Sequence, residues 1–190
     1  MVEMIMRYIS IILIIFFTFN INAQQKGSVT GLDLPRFVST KSNDINLRVG
    51  PSINYPKELQ YIQKNLPIEI IDEYDLWRKI TDIDGNKGWV HKSLIKSERY
   101  AIILPKNNKK VFVFSNPIGK KIGEIGKNNI VKLNNCLKKW CYIHFLNNKG
   151  WINKENLWGV YDNEIYKASF MQPIKNLYWK FLQFIGKINI

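Results

Sequence analysis

The sequence predicts an all-β protein made of two small β-barrels in tandem, and three observations support this. Residues 66–94 and 129–157 are two copies of one pattern, in which Trp77 lies 63 positions before Trp140. Short apolar runs bounded by turn residues recur at regular spacing in both copies, as is typical of small barrels. The 190 residues leave room for one ordinary domain or two small ones. A repeat of this kind constrains the architecture before any single strand is assigned.

Each copy is expected to contain short strands joined by tight turns. The predicted strands are Ile45–Val49, Ile68–Glu73, Trp77–Ile83 and Gly88–His91 in the first copy, and Val111–Phe114, Ile130–Leu133, Trp140–Leu146 and Gly150–Ile152 in the second. Gly50, Pro51 and Pro56 interrupt regular structure, so we expect a long irregular loop between Val49 and Leu66. Because units of about 60 residues are marginal alone, we expect the two barrels to pack together or share a strand.

The N-terminus has the pattern of a secretory signal. A charged start is followed by the apolar run Tyr8–Phe19 and by the small residue Ala23. This predicts a signal peptide over residues 1–23 with cleavage near Ala23, and therefore a periplasmic or secreted protein. The alternative is a single N-terminal membrane anchor, although the apolar run is short for one. Residues 24–36 are polar and lack periodicity, which predicts a mobile linker.

The C-terminal residues 162–190 show a different periodicity. Apolar residues recur at spacings of three and four from Phe170 to Ile185, with lysines on the other faces, which predicts an amphipathic helix. Its apolar face has two possible partners: the barrels, or a membrane surface, which Trp179 beside lysines would suit.

The formal net charge of +13 favours anionic partners, namely a wall polymer, phospholipid headgroups or nucleic acid. An exported protein rarely meets nucleic acid, so we expect no nucleic-acid partner.

Cys136 and Cys141 are the two cysteines of the chain. Glu73 and Arg78 occupy the equivalent places in the first copy, so a cross-strand ion pair there is expected to be replaced by a disulfide across the second hairpin. An even cysteine count in an exported chain favours this disulfide. The alternatives are a redox pair or, with His144, a metal site, but four intervening residues is not the usual spacing for either.

The first copy resembles bacterial SH3 domains. Asn46-Leu47-Arg48-Val49-Gly50-Pro51-Ser52 matches the opening of that family, and Trp77-Arg78-Lys79-Ile80 and Gly88-Trp89-Val90 match its later segments in the same order. The second copy lacks the opening, and the whole arrangement resembles the tandem SH3-domain exported proteins of alphaproteobacteria. The resemblance implies SH3-like barrels over residues 37–97 and 98–161 and, for some relatives, binding of cell-wall peptides.

We find no catalytic constellation in the sequence, and we expect neither an enzyme nor a cofactor or metal site. His91 and His144 do not occupy equivalent places in the two copies, and no carboxylate pair or phosphate-binding glycine loop accompanies them. The candidate ligand-binding residues are aromatic instead, because aromatic rings give large contact area at low entropic cost. They are Tyr55, Tyr74, Trp77 and Trp89, with core or rim packing as the alternative role for both tryptophans.

These observations predict an exported, non-catalytic module whose first barrel recognises peptidoglycan peptides through an aromatic groove. The alternative is an adaptor for a periplasmic protein, docked at the membrane surface through Phe170–Ile185.

Overall fold

Two seven-stranded antiparallel sheets with the same strand order make up the protein, seen in a computed structural model that describes residues 24–106, 110–167, 177, 178, 181, 184 and 185. The first sheet has the order β3-β2-β6-β5-β4-β1-β7 and the second the order β10-β9-β13-β12-β11-β8-β14. The strands of the first sheet are β1 (Arg36–Thr40), β2 (Ile45–Arg48), β3 (Lys57–Tyr61), β4 (Pro67–Tyr74), β5 (Trp77–Thr81), β6 (Lys87–His91) and β7 (Ile95–Lys96). Those of the second are β8 (Tyr100–Ile103), β9 (Val111–Phe114), β10 (Lys121–Ile125), β11 (Ile130–Cys136), β12 (Trp140–Phe145), β13 (Asn148–Asn153) and β14 (Leu157–Trp158).

Each sheet surrounds its own hydrophobic core. The first core contains Leu34, Val38, Ile45, Leu47, Tyr61, Ile68, Ile70, Ile80 and Val90. The second contains Ala101, Ile103, Val111, Val113, Ile125, Val131, Leu133, Cys136, Cys141, Ile143, Ile152, Leu157 and Val160. These clusters share no residue, and neither sheet contains a strand of the other. The all-β prediction is therefore confirmed, and the two copies pack without sharing a strand.

Three strands of the first sheet, β1, β3 and β7, were not predicted, and neither were β8, β10 and β14 of the second. The segment between Val49 and Leu66, expected to be an irregular loop, contains β3, which pairs with β2. Only the last residue of β3, Tyr61, is buried, so the sequence shows no apolar alternation there. In β1, Phe37 and Val38 are both buried although they point to opposite sides of the sheet. Val38 enters the first core, whereas Phe37 faces the second sheet, and the pattern of a one-sided strand is lost.

Phe37 is the centre of the contact between the two sheets. Its ring lies 5.2 Å from the ring of Trp158 and 4.8 Å from that of Tyr161. The guanidinium of Arg99 lies 5.6 Å from the same ring, within the range of a cation–π contact. The Tyr161 hydroxyl donates a 2.7 Å hydrogen bond to Glu69 on β4. The interface therefore joins the outer side of β1 and β4 to the end of the second sheet.

The segments flanking the sheets are bound to them. Residues 26–33, within the predicted mobile linker, form a turn in which Lys26 and Asp33 pair. Val29 and Thr30 of this turn donate to the carboxylate of Glu73. This acceptor lies more than 40 residues away, which is why the sequence did not reveal the contact. The proposed domain boundaries remain predictions.

Residues 162–166, assigned to the C-terminal tail, also contact the second sheet. Arg99 donates two hydrogen bonds to Glu164, and Tyr166 pairs with Cys136. The buried Lys154 ammonium donates to the carbonyl oxygens of Asp162 and Glu164. The start of the tail is therefore held by polar contacts that an apolar periodicity could not indicate.

The predicted disulfide is confirmed. Cys136 and Cys141 face each other across the β11–β12 hairpin and are bonded at 2.03 Å. In the first sheet Glu73 and Arg78 face each other at the equivalent place, with Nε of Arg78 3.5 Å from Oε1 of Glu73. The same hairpin end is thus closed covalently in one copy and by an ion pair in the other.

The predicted signal peptide lies outside the described residues, as does most of the predicted helix Phe170–Ile185. Five apolar residues of that segment are described, and their side chains are exposed: Leu177, Tyr178, Phe181, Phe184 and Ile185. Within the described ranges, no helix has the length and hydropathy needed to cross a membrane.

We expect Phe37→Ala to lower the free energy of unfolding by about 3 kcal/mol, because it removes the ring that fills the interface between the sheets. Phe112→Ala is the matched control, since Phe112 is 47% exposed, and we expect it to cost less than about 1 kcal/mol. Urea unfolding followed by tryptophan fluorescence measures both. Equal losses in the two variants would show that Phe37 does not hold the sheets together.

Candidate functional site

The alternation of side chains along β5 and β6 creates an open face on the outside of the first sheet. Arg78, Ile80 and Val90 point inward and are buried. Trp77 is then opposite His91, and Lys79 opposite Trp89, on the outer side. The Trp77 and His91 rings meet edge-to-face with centroids 5.5 Å apart. This ladder is the centre of what we call the first outer face: Arg48, Tyr74, Trp77, Lys79, Trp89 and His91.

Three of the four predicted aromatic residues lie on this face. Tyr74 is opposite Trp77 at the hairpin end and is 60% exposed. Trp77, which lies between Tyr74 and His91 in the ladder, is only 9% exposed, whereas Trp89 is partly buried. The outward ring of Trp77 is therefore well packed, as the packing alternative expected, and its ligand-binding role stays a prediction.

Tyr55 is attached to the same region in a different way. Its main-chain carbonyl accepts a 2.6 Å hydrogen bond from Arg48, which is opposite Trp89 in the sheet. Its ring lies over Gly50, where an added Cβ would come within 2.6 Å of ring atoms. The side chain is 45% exposed. Gly50 thus lets the tyrosine fold back onto its own loop, which gives part of the ring a packing role.

The charged residues of the first outer face were not predicted. Arg48 and Lys79 form no ion pair with any described residue. The Lys79 ammonium lies 6.0 Å from the centre of the Trp89 ring, at the limit of a cation–π contact. Both cations stand next to a tryptophan in the strand ladder, a relationship that becomes visible only once the strand register is known.

Each histidine belongs to the regular structure of its sheet: His91 caps a turn, and His144 lies within β12. Nδ1 of His91 accepts from the backbone N–H of Ser93 and caps the short 3₁₀ turn of residues 92–94. His144 is opposite Lys132 and Lys149 on the second sheet. Across residues 24–106 and 110–167, we find no group of three His, Cys, Asp or Glu residues placed to hold a metal ion.

A buried carboxylate supports the face from behind. Glu73 is the residue before Tyr74 and points inward, with its side chain fully buried. It accepts hydrogen bonds from Thr30 and Arg36 and lies beside Arg78. Burial alone would raise the pKa of Glu73, but the hydrogen bonds from Arg36, Thr30 and Val29 outweigh it and lower the pKa to about 2.

Two cavities lie away from this face. One of about 360 Å³ lies on the second sheet beside Ile122, Phe145 and Leu146. The other, of about 460 Å³, lies between the sheets beside Leu66, Ile102 and Ile130. Neither of these two cavities is lined by the candidate aromatic residues, and the aromatic groove stays a prediction.

Comparison with known proteins gives one family match. Residues 41–97 match the sequence model of the family described as bacterial SH3 domain. These residues run from the loop before β2 to the end of β7 and include the whole first outer face. Domains of this family are binding modules and not catalytic ones. Among curated proteins none matches the chain.

Solved structures with some similarity include NlpC2 and NlpC1 from Trichomonas vaginalis. NlpC2 is 12% identical with a TM-score of 0.29, and the match covers 65% of this chain and 48% of that protein. NlpC1 is 11% identical with a TM-score of 0.29, covering 70% of this chain and 48% of that protein. The chain thus spans about half the length of each, and with TM-scores of this size neither protein's activity is transferred to it.

We expect Glu73→Gln to destabilise the protein by about 3 kcal/mol at pH 7, because Arg36 and Arg78 would keep their charges and lose the buried anion. The exposed Glu58→Gln removes the same charge from β3 and serves as the control, with an expected change within about 0.5 kcal/mol. Urea unfolding measures both variants.

The pH dependence of the Glu73 contribution has a defined sign. The folded pKa is lowered, to about 2 from a usual 4.5, so the contribution is complete above about pH 4.5 and is lost as the pH falls toward 2. The stability difference between wild type and Glu73→Gln should therefore shrink across this window. A difference that stays constant from pH 7 to pH 2.5 would contradict the assignment.

Proposed function

We propose that this chain is an exported, non-catalytic protein of two SH3-like barrels in tandem, and that the first outer face binds the peptide part of peptidoglycan. One observation carries the proposal: Tyr74 and Trp89, beside the packed Trp77, share the outer side of the sheet with the two cations Arg48 and Lys79. Neither cation forms an ion pair with a described residue, although Asp72 is opposite Lys79. The match of residues 41–97 to a family of binding modules supports a recognition role for this part of the chain.

The chemistry of the face suits an anionic peptide. Flat aromatic rings offer contact area to an extended chain without ordering many bonds. The guanidinium and ammonium groups can each donate to a carboxylate, and charge-assisted hydrogen bonds of this kind are among the stronger ones. Peptidoglycan stem peptides carry free carboxylates, so they supply both features. The net charge of +13 would further favour association with an anionic wall.

The proposed location is the periplasm or the exterior, after cleavage near Ala23. The Cys136–Cys141 disulfide supports this location, because such bonds persist in oxidising compartments.

Sedimentation with purified sacculi tests the function. We expect wild type to pellet with the sacculi and Lys79→Ala to pellet about 5–10-fold less, in keeping with the loss of a charge-assisted contact worth about 1–1.5 kcal/mol. Lys64→Ala is the matched control, because Lys64 is an exposed lysine in the loop between β3 and β4, outside the first outer face. If both variants lose binding equally, the interaction is general charge attraction, and if wild type stays in the supernatant the proposal fails.

A second candidate function is an adaptor for a periplasmic protein, held at the membrane surface by the predicted helix Phe170–Ile185. The exposure of Leu177, Tyr178, Phe181, Phe184 and Ile185 favours it, because large apolar side chains left in water need a partner. Lysines between them would meet anionic headgroups.

Flotation with vesicles tests the adaptor hypothesis. We expect the full chain to float with anionic vesicles, and a chain that ends at Lys167 to remain at the bottom. This end point keeps residues 162–166 on the second sheet, so loss of flotation cannot be attributed to loss of the fold. Unchanged flotation of the shortened chain would exclude the helix as the attachment.

A further inference from the structure

The outer side of the second sheet carries a larger aromatic cluster than the first. The alternation of β12 and β13 points Trp140 and Tyr142 outward, opposite Asn153 and Trp151. Trp151 is also opposite Phe114 on β9. The Phe114 and Trp140 rings lie 5.4 Å apart, and the Tyr142 and Trp151 rings 5.3 Å apart. The four rings form one cluster, in which Trp151 is only 8% exposed and Phe114, Trp140 and Tyr142 are partly exposed. We call this cluster, together with Asn135 and Asn153, the second outer face.

Strand pairing places this patch at the position of the first outer face. Trp140 is opposite Asn153, which caps the following turn, just as Trp77 is opposite the capping residue His91. Trp151 and Trp89 likewise each pair with a residue on both neighbouring strands. The two tryptophans are therefore retained between the copies.

The charged residues of β2, β4 and β5 in the ladder row of Trp89 are replaced by uncharged ones in the second sheet. Matching the ladders residue by residue, Phe114 stands at the place of Arg48, Tyr142 at that of Lys79, Asn153 at that of His91, and Asn135 at that of Asp72. In a chain with a net charge of +13, the residues of β9, β11, β12 and β13 in the row of Trp151 carry no formal charge. The row ends at Lys121 of β10, which is opposite Phe114 and is paired with Glu124.

The amide groups beside the rings are available to a polar ligand. Asn153 uses its Oδ1 to cap the turn at Glu155, which leaves its NH₂ group without a partner in the described part of the chain. Asn135, opposite Tyr142, forms no side-chain hydrogen bond with a described residue. A purely apolar partner would cover these amides and leave them unsatisfied, at a cost of about 1–3 kcal/mol each.

We propose that the second outer face binds an uncharged glycan, specifically a chain of N-acetylated amino sugars. The C–H faces of such sugars are apolar and flat enough to lie on aromatic rings, while their hydroxyl and acetamido groups pair with amide side chains. Charge favours this occupant, because the four rings and two amides of the face carry no formal charge and the flanking Lys121 is already paired with Glu124. The two copies would then bind different parts of one polymer. The first would bind its charged peptides, and the second its neutral sugar strand.

This inference rests on the proposed function only in taking the cell wall as the common target, and a soluble probe tests it separately. The probe is a tetramer of N-acetylglucosamine, titrated into the full chain and followed by calorimetry. We expect saturable binding by wild type. Tyr142→Lys introduces the residue that the first sheet has at the equivalent place, Lys79, so the fold should accept it. We expect this variant to bind the tetramer at least 10-fold more weakly than wild type.

Trp77→Ala is the control on the other face, and it should leave tetramer binding within about twofold of wild type. Lys79→Ala should likewise bind the tetramer as wild type does, even if it no longer pellets with sacculi. Failure of the peptide proposal and failure of the glycan proposal therefore give different results. Absence of saturable binding at millimolar tetramer overturns the inference, as does equal weakening by Tyr142→Lys and Trp77→Ala. Unfolding in urea confirms that each variant is folded before it is compared.

Discussion

The strict alternation of side chains along β5 and β6 is the constraint on which the rest of the first sheet depends. Ile80 and Val90 fill the core only in the register that also turns Trp77, Lys79 and Trp89 outward. A slip of one residue would exchange the two sets and expose the core, so the register is strongly specified. The core therefore positions the candidate binding face, although no residue of the face belongs to the core.

The same alternation turns one pair of side chains inward at the end of each hairpin, and the two copies use different residues there. It turns Glu73 and Arg78 inward in the first sheet, where a lone charge would be costly. The protein compensates by adding Arg36 and the turn at Thr30 to the carboxylate, which also holds the N-terminal segment in place. The second sheet uses the Cys136–Cys141 disulfide at this point and leaves the anchoring of its own flank to Arg99 and Glu164.

Sequence patterns predicted the features that depend on neighbouring residues. The repeat, the central strands and the pairing of Cys136 with Cys141 all follow from local periodicity or from comparing the two copies. The strand β1 was missed because Phe37 serves a contact with the other sheet, and β3 was missed because its residues face water until Tyr61. Both depend on partners distant in sequence, which a local pattern cannot encode.

For the candidate site, the sequence predicted the aromatic residues but not the charged residues beside them. Aromatic type alone selected Tyr74, Trp77 and Trp89, and strand register then placed them on one face. The neighbouring cations Arg48 and Lys79 were missed because a lysine or arginine in a strongly basic chain has no distinguishing local pattern. The aromatic cluster around Tyr142 was missed because its members join only across three strands.

The central claim is that the outer side of the first sheet, and not either cavity, meets the wall peptide. Titration of the ¹⁵N-labelled chain with a synthetic stem peptide, followed by NMR, tests it most directly. The account predicts that the largest shifts fall on the indole N–H groups of Trp77 and Trp89 and on the backbone of β5 and β6. Shifts confined to the cleft near Leu66 and Ile102, or an unchanged spectrum at millimolar peptide, would contradict it.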